Sequence, residues 1–567
     1  MVTTRSQTRA TVVPQPRSGR QKKVTTRSQT RAAVIPQPRS GRQQKAAATT
    51  ATKSAISRRS RFSWFSLPPE IRTMILDEVA RAQFPGWASS AAPVCKEWHA
   101  LIAPRNFHRL NLWASDLPKL ERMVSSARHQ RWVRHISLSM QLPAYNCSSC
   151  RWNDRFRARP KHMAIMGRAL LGLLTVLSAW EPAEHGGIEL ELNARSPSDT
   201  GHWVKDHCAG LEYEPDGERV EAQRGDIKRY HDPKHAWLSG KQTGRLFHRA
   251  IGRPYTDIDI YPPGDLPAVP AITGLVIRRG FRRQITPAAL RLLFAKLPRL
   301  EKLVYEPWRV HYEPSLIAAH RGALASLLRD HLPPGIKTVA VYEEFSEQLA
   351  AALHQTVSIL GHLHKYKALQ DPYAIGGGVL DRALVRRSQS LEELAVSYLV
   401  DAAAFFHDCS RQAYRWPRLR SLTLTAPRLS APDNAREASD LLQMAGLVAA
   451  RQMPRLERLV LWNARHEQTA WAFTYEKQAG KRQATIQLRG TWILPLERRV
   501  VGAWEKVVAS LGSSACCQLV VKESELLQGV TIQSRGDAIY HLRLPDGVID
   551  PVSLWQSRID GMARNLT

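Results

Sequence analysis

The sequence Pro298-Arg299-Leu300-Glu301-Lys302-Leu303-Val304-Tyr305 contains the phrase that decides the fold: leucine, any two residues, leucine, any one residue and a further apolar residue. In a β-strand, successive side chains point to opposite faces, so the alternation at the end of this phrase predicts a short strand with one buried face. The preceding stretch, Pro287 to Lys296, has the apolar spacing of a helix. The predicted local unit is therefore one strand and one helix.

This phrase recurs along the chain, and Pro-Arg precedes three of the four clearest copies. A second helical stretch, Phe345 to Leu353, lies between two copies. The other clear copies are Leu391-x-x-Leu394-x-Val396, Leu419-x-x-Leu422-x-Leu424 and Leu456-x-x-Leu459-x-Leu461, and the weaker ones are Val133-x-x-Ile136-x-Leu138, Ile272-x-x-Leu275-x-Ile277 and Ile336-x-x-Val339-x-Val341. A strand and a helix that repeat in this way predict an α/β body.

The repeated unit resembles that of leucine-rich repeat solenoids. Successive intervals from Leu300 to Leu456 are 36, 55, 28 and 37 residues, whereas regular repeats have about 20 to 29, and the Asn or Cys position after the strand is missing. The resemblance implies an irregular, degenerate α/β solenoid over 114–567, with an insertion at about 144–265. An ordinary α/β domain in which the phrases recur by chance is the alternative, because leucine is common.

A different pattern precedes this body. Proline and Glu70 stand where a helix begins, and Ile71, Met74, Ile75 and Val79 follow at spacings of three and four. After a loop comes a second apolar stripe, which we expect Pro104 to end. Its members are Ala91, Val94, Cys95, Trp98, Leu101 and Ile102, and Phe107, Leu110 and Leu112 follow as a third short segment. The pattern predicts a three-helix module over 63–113.

The segment from Leu67 to Leu110 resembles the F-box in its Leu-Pro opening and its Val-Cys-x-x-Trp core, although the stretch Arg81 to Ser90 is longer than in compact members of that family. In that family the helical face binds a Skp-type adaptor, which joins the F-box protein to the cullin of an SCF ubiquitin ligase. The resemblance implies adaptor contacts for Leu67, Pro68, Ile71, Ile75, Val94, Cys95 and Trp98. Alternatively, Val94, Cys95 and Trp98 are only the core of a small helical domain.

The net charge of +31 is concentrated at the start of the chain. Residues 1–61 contain 15 Lys and Arg and no acidic residue. Most of this stretch consists of two nearly identical copies of 22 residues, Val2 to Lys23 and Val24 to Lys45. Such polar, proline-containing copies bury no apolar surface, so residues 1–62 are predicted to be a disordered basic arm. Its role stays open between a nuclear import signal or polyanion contact, a transit peptide and a solvated tail.

Few residues carry the spacing of a chemical site. Cys147-Ser148-Ser149-Cys150 is the only Cys-x-x-Cys pair, and together with His162 and the His207-Cys208 pair downstream it could supply the four ligands of a zinc site. No second Cys-x-x-Cys pair or His-x3-His accompanies it, so Cys147 and Cys150 are weak metal candidates and reduced thiols are the main expectation. Neither a complete catalytic motif nor a cofactor motif is present. We therefore expect a non-catalytic protein without a cofactor.

The composition indicates the compartment in which we expect the protein. Seven cysteines in 567 residues do not form a disulfide scaffold, and the longest apolar run, Ala169 to Trp180, is shorter than the ~18 to 25 residues of a membrane span. We expect a protein of the cytoplasm or nucleus that recognises substrates for an SCF-type ubiquitin ligase, with a protein substrate on the repeat region. A nuclear polyanion-binding or protein-interaction scaffold is the alternative, and nucleic acid would bind only the basic arm.

Overall fold

A computed structural model of the protein describes residues 64–81, 94–152, 155–183, 186–209, 211, 213, 229–309, 314–360, 378–430, 432–465, 469–477, 483–510 and 517–565. The chain divides by its internal contacts into two units, Met1–Leu67 and Pro68–Thr567. In the first, Trp64–Ser66 form a 3-10 turn, and the Leu67 N–H donates to the carbonyl of Trp64 at 3.3 Å. The predicted basic arm, residues 1–62, lies outside the described residues. The elements below belong to the second unit.

The helices of this unit account for much of its described length. They are α1 (Pro69–Arg81), α2 (Lys96–His108), α3 (Leu117–Met123), α4 (Ala127–Trp132), α5 (Arg155–Ser178), α6 (His248–Ile251), α7 (Pro287–Lys296), α8 (Pro314–Asp330), α9 (Glu347–Leu360), α10 (Val379–Ser388), α11 (Ala402–Arg411), α12 (Ala435–Gln452), α13 (Arg498–Ser510), α14 (Arg535–His541) and α15 (Pro551–Asn565). Within the described residues, none of them combines the length and the apolarity needed to cross a membrane.

The strands alternate with these helices. They are β1 (Arg109–Trp113), β2 (His135–Gln141), β3 (Ile188–Arg195), β4 (Trp237–Leu238), β5 (Lys241–Gln242), β6 (Asp257–Ile258), β7 (Ile272–Ile277), β8 (Gln284–Ile285), β9 (Lys302–Tyr305), β10 (Trp308–Arg309), β11 (Thr338–Tyr342), β12 (Glu344–Phe345), β13 (Glu393–Asp401), β14 (Ser421–Thr425), β15 (Arg458–Arg465), β16 (Thr469–Lys477), β17 (Gln483–Gly490), β18 (Gln518–Val521) and β19 (Glu525–Leu526). Thirteen of them form one sheet in the part of the chain that is described.

The strands of this sheet follow the order of the chain. From β1 to β15 the neighbours β1-β2-β3-β7-β9-β11-β13-β14-β15 are all parallel, β16 and β17 add an antiparallel meander, and β18 and β19 both pair with β17. All seven copies of the phrase lie on these strands, and their second apolar residues align in one row: Ile136 in β2 and, from β7 to β15, Leu275, Leu303, Val339, Leu394, Leu422 and Leu459. The predicted α/β class, with strands at the phrases, is confirmed.

One face of the sheet packs against the helices. The row that contains Leu303 and Leu422 is buried in a single core with side chains of α7, α8, α10, α11 and α12. Helix α7 has the predicted bounds, because Thr286 caps it by accepting the Ala289 N–H at 3.1 Å. Helix α9 begins two residues after the predicted start, at Glu347, and continues to Leu360.

The C-terminal segment covers part of the opposite face. This face carries the aromatic side chains of Tyr342, Tyr398 and Trp462. They point away from α7, α8, α10, α11 and α12 and are buried against Ile539 of α14. The guanidinium carbon of Arg535, at the start of α14, lies 3.8 Å from the centre of the Tyr398 ring. The sheet is therefore enclosed on both faces at this end.

The predicted three-helix module differs from the observed elements in two places. Helix α2 continues through Pro104 to His108, because Ile102 and Ala103 are buried and Arg105 Nη2 pairs with Asp77 Oδ1 at 2.8 Å. The segment expected to be a third helix is instead β1, whose Leu110 and Leu112 pack on the core and pair in parallel with β2. The predicted domain boundary after residue 113 therefore falls inside one compact unit, at the end of its first strand.

The predicted insertion at about 144–265 is partly regular structure. Helix α5 occupies its first half, and β3 lies between β2 and β7 in the sheet, with Leu190 and Leu192 in the core. Only the described residues after Arg195 leave the strand–helix pattern. There the elements are short, namely β4, β5, α6 and β6.

Candidate functional site

Helices α1 and α2 are held together by two ion pairs. Arg72 Nε donates to Glu97 Oε1 at 2.9 Å, and Arg105 Nη2 to Asp77 Oδ1 at 2.8 Å. Pro69 at the first position and Glu70 in the first turn favour the start of α1, as the sequence predicted. The two pairs fix the relative positions of both helices.

The predicted apolar stripe of α1 faces solvent. Ile71, Met74 and Ile75 are 41%, 66% and 38% exposed, whereas Leu76 is the fully buried side chain among those of α1 that the structure describes. Val94, just before α2, is 61% exposed. A group of large exposed apolar side chains is typical of an interaction surface rather than of a closed core.

The other residues implied by the F-box resemblance lie at the ends of the same helices. Pro68 is exposed where α1 begins, Cys95 is the half-buried N-cap of α2, and Trp98 is half-buried in its first turn. Leu67 is half-buried and belongs to the first unit. The structure thus brings Ile71, Ile75 and the start of α2 into one unit of the fold.

The sheet face opposite the helices carries a polar network near β2, β3 and β9. His135 Nε2 lies 2.9 Å from Glu191 Oε2, and Lys302 Nζ lies 2.6 Å from Glu189 Oε1. Hydrogen bonding to His135, assisted by Lys302, lowers the pKa of Glu189 to about 2, although burial opposes this. Burial opposes the charged form of His135, but the two glutamates raise its pKa. The network therefore consists of paired charges.

A pocket of about 300 Å³ opens beyond the carboxyl ends of β1, β2 and β3. Arg279, Arg195 and Arg282 contribute to its wall. Arg279 is paired with Glu344 at 2.9 Å and Asp560 at 3.0 Å, and the guanidinium carbon of Arg195 lies 5.5 Å from the centre of the Trp113 ring.

Arg282 differs from the other two arginines. Its φ of 53° is rare for a residue with a side chain, and its buried Nη1 has no hydrogen-bond partner among the described residues. Asp199, which also lines the pocket, is neutralised by two hydrogen bonds from Arg283. A strained arginine with an unsatisfied donor at a pocket wall is suited to a carboxylate or another anion.

Two cysteines and two histidines meet near this pocket. Cys147 Sγ lies 3.6 Å from His202 Nδ1 and 3.7 Å from His235 Nε2, and these two nitrogen atoms are 3.1 Å apart. Cys150 Sγ lies 3.6 Å from His235 Nε2. Cys150 and His235 are buried, while Cys147 and His202 are half-buried. We call these four residues the Cys/His cluster.

The outer nitrogen of each histidine also has a partner. His235 Nδ1 lies 2.7 Å from Asp232 Oδ2, which in turn accepts from Lys205 Nζ at 2.8 Å. His202 Nε2 lies 3.4 Å from the carbonyl oxygen of Tyr145. These contacts orient the inner nitrogens, Nε2 of His235 and Nδ1 of His202, towards each other and towards Cys147.

The sequence suggested other partners for Cys147 and Cys150. His162 lies on α5, the ring of His207 packs against Tyr230 and Trp237, and Cys208 faces the carbonyl of Gln556. None of these three is in the cluster. The sequence missed His202 and His235 because they lie 55 and 88 residues after Cys147 and share no short spacing with it.

Comparison with known proteins matches part of the chain to a family. Residues 331–550 match the sequence model of a family of unknown function, DUF6546. The matched range extends from β11 through α14 and excludes α1, α2 and the Cys/His cluster. No curated protein matches the chain.

Proposed function

We propose that the protein is a substrate-recognition adaptor of an SCF-type ubiquitin ligase. Its helices α1 and α2 bind a Skp-type adaptor and, through it, a cullin. The observation that carries the proposal is the set of exposed apolar side chains Ile71, Met74 and Ile75 on α1 and Val94 just before α2, in a segment whose sequence resembles the F-box. Burial of such side chains in an interface contributes about 25 cal/mol per Å² of apolar area.

The body of the protein is, in this proposal, an irregular leucine-rich-repeat-like solenoid. Two features support it: neighbouring parallel strands follow the order of the chain, and the leucines of the phrase share one register row. Parallel strands joined in this order need a crossover after each strand, and the described helices supply it between successive sheet strands. The antiparallel meander of β15, β16 and β17 interrupts the repeat near its end.

The substrate site in this proposal is the pocket beyond β1, β2 and β3. Arg282 carries the preference for an acidic group, because its buried Nη1 has no hydrogen-bond partner among the described residues and a carboxylate oxygen would accept from it. The function needs no catalytic group in this chain, since holding a substrate near a conjugating enzyme raises the effective concentration of its lysines. We place this activity in the cytoplasm or nucleus.

Capture of a purified Skp-type adaptor by the full chain tests the proposal. The double variant Ile71→Asp/Ile75→Asp should reduce binding at least tenfold, because two charges would have to be desolvated in an apolar interface. Leu316→Asp/Val379→Asp is the matched control, since these side chains are 47% and 54% exposed on α8 and α10. It should bind as the unmodified chain does.

Two results would overturn the proposal. The first is failure of the unmodified chain to retain the adaptor at micromolar concentrations. The second is equal adaptor binding by the two double variants. Circular dichroism and thermal unfolding of each variant distinguish a lost surface from a lost fold, because exposed substitutions should change stability by about 0.5 kcal/mol or less.

A further inference from the structure

We propose that Cys147, Cys150, His202 and His235 bind one structural zinc ion. The inference is independent of the ubiquitin-ligase proposal, because none of these residues lies on α1 or α2. The four side chains offer two thiolates and two imidazoles, a common ligand set of closed structural zinc sites.

The distances fit a tetrahedral ion. Zinc–sulfur bonds of about 2.3 Å and zinc–nitrogen bonds of about 2.0–2.1 Å place sulfur and nitrogen about 3.5–3.6 Å apart and two nitrogens about 3.3 Å apart. The observed sulfur–nitrogen distances are 3.6, 3.7 and 3.6 Å, and the nitrogen–nitrogen distance is 3.1 Å. Cys147, His202 and His235 thus have the ligand-atom spacing of three corners of a tetrahedron around zinc, all within 4.8 Å of one another. Cys150 lies outside this group of three but 3.6 Å from His235 Nε2, and its side chain would move inward to become the fourth ligand.

The hydrogen bonds of the two rings give a second, independent reason. A neutral imidazole has one N–H and one lone pair. If His235 donates Nδ1–H to Asp232 and His202 donates Nε2–H to Tyr145, the lone pairs of their inner nitrogens face each other at 3.1 Å. In that tautomeric state the two lone pairs repel, and a cation between them removes the repulsion; in the other tautomer of His202, Nδ1–H donates to His235 Nε2 instead. Asp232 then acts as the carboxylate that orients a metal-bound histidine.

The ligand types select the class of metal. Thiolate and imidazole are soft or borderline ligands that suit zinc, whereas magnesium and calcium prefer carboxylate and carbonyl oxygen. The carboxylate of Asp232 contacts the outer nitrogen of His235 and the Lys205 ammonium. Binding would release the two thiol protons, because cysteine binds zinc as thiolate.

Such an ion would stabilise the part of the chain with the least regular structure. Its ligands come from the turn after β2, the segment after β3 and the 3-10 turn Pro233–His235, where the described elements are short. A link between residues 88 positions apart restricts the unfolded chain. Cys150 also belongs to a small core with Trp203 and Ile251, separate from the main core. The zinc site thus supplies cross-links where apolar burial is limited.

The position of the site connects it with the pocket. Residues 196–200 lead from β3 to His202, and Ser196, Asp199 and Thr200 line the pocket wall. Arg253 supports the same region from the other side: its guanidinium carbon lies 3.7 Å from the centre of the Tyr145 ring, and it donates to the carbonyl of Ser149 at 2.8 Å. Loss of zinc should therefore loosen the pocket wall as well as the cluster.

Metal analysis of the full chain, purified under reducing conditions, tests the inference. We expect about one zinc per chain. Cobalt exchanged into the site should give the visible absorption of a tetrahedral thiolate complex. Treatment with a chelator should lower the melting temperature, and added zinc should restore it. A zinc content far below one ion per chain, together with a melting temperature that neither chelator nor added zinc changes, would overturn the inference.

Variants assign the ligands. Cys147→Ser and His235→Ala should each lose most of the bound zinc, whereas Cys208→Ser should retain it, because Cys208 is a half-buried thiol of the same region that lies outside the cluster. If a ligand variant does not fold, labelling of the cysteine thiols of the unmodified chain with an alkylating reagent tests the ligands instead. With zinc bound, Cys147 and Cys150 should react only after chelation. Labelling at an equal rate with and without chelator would contradict the inference, as would full zinc in Cys147→Ser.

Discussion

Arg72 of α1 donates its Nε hydrogen to Glu97 of α2 at 2.9 Å, and the two side chains are only 17% and 27% exposed. The bond joins two helices across 25 positions of sequence, on either side of residues 82–93, which are not described. It sets the orientation in which Ile71 and Ile75 point to solvent. The pair is therefore a positioning contact for the surface that we propose as the adaptor site.

Reversal of this ion pair should show that dependence. Arg72→Glu places two carboxylates together and should weaken adaptor binding about fivefold, equivalent to about 1 kcal/mol, and accelerate amide hydrogen exchange in α1. The double variant Arg72→Glu/Glu97→Arg should recover most of the adaptor binding and most of the protection of α1 from hydrogen exchange, because the attraction between the two side chains is restored. Titration with the purified adaptor and hydrogen-exchange mass spectrometry are the measurements. Equal loss in the single and double variants would show that the pair has no such role.

The basic arm provides a prediction that separates the two functions considered for this chain. Residues 1–61 contain 15 basic residues and no acidic one. Their deletion should abolish salt-sensitive binding to nucleic acid, which falls by roughly one log unit per log of salt for each phosphate contact. Adaptor capture should survive the deletion. A truncated chain that still bound nucleic acid with the same salt dependence would place the polyanion site in the folded body.

Glu306 predicts a dependence of stability on pH. It is buried between β9 and the start of α15, where it accepts from the backbone N–H groups of Arg279 and Asp550 and from the Ser553 hydroxyl. Burial, together with the nearby Asp550, raises its pKa from 4.5 to about 7. Because folding favours the protonated carboxyl, this contribution to stability is complete below about pH 4.5 and is lost as the pH rises through 7.

The lost contribution amounts to about 3 kcal/mol at most. Chemical denaturation at several pH values between 4.5 and 8 should detect it as a decrease in the free energy of unfolding. Glu306→Gln should flatten this part of the profile, even though the amide cannot accept all three bonds and lowers stability at every pH. An unchanged slope in Glu306→Gln would assign the pH dependence to other groups, such as His135, whose raised pKa acts in the same direction.

Two glycines on helices predict opposite effects of the same substitution. A Cβ atom at Gly167 of α5 would lie 2.0 Å from the carbonyl oxygen of Tyr261, which is backbone and cannot rotate away. Gly167→Ala should therefore cost about 1–3 kcal/mol. Gly322 of α8 has no atom within 4 Å of such a Cβ, and Gly322→Ala should stabilise the helix by about 0.5–1 kcal/mol. Urea denaturation of both variants measures the difference; equal effects would contradict the close packing of α5 on Tyr261.

The sequence predicted the strands better than it predicted the surfaces. Leu303 and Leu422 were identifiable because alternation and helical spacing depend on neighbours in the chain. The same local rule wrongly placed a helix end at Pro104, because the ion pair of Arg105 outweighs the local preference of proline. It also missed β3, whose Leu190 is buried in the main core. Ile71 and Ile75 have the spacing of a buried stripe, and only the fold shows that Leu76 takes the buried position. His202 and His235, the histidines of the zinc site that we propose, lie 55 and 88 residues after Cys147, so spacing could not predict them.

The contacts of α15 have a consequence for the order in which the protein folds. Parallel strands from β7 to β15 pair with neighbours in chain order, so each can add to the strand before it. Arg279–Asp560 and Glu306–Ser553 instead join residues 281 and 247 positions apart. Closure of loops this long is entropically costly and slows folding. Helix α15 should therefore dock late in folding, and because Gln556 and Asp560 belong to the pocket wall, the pocket is complete only after this helix has docked.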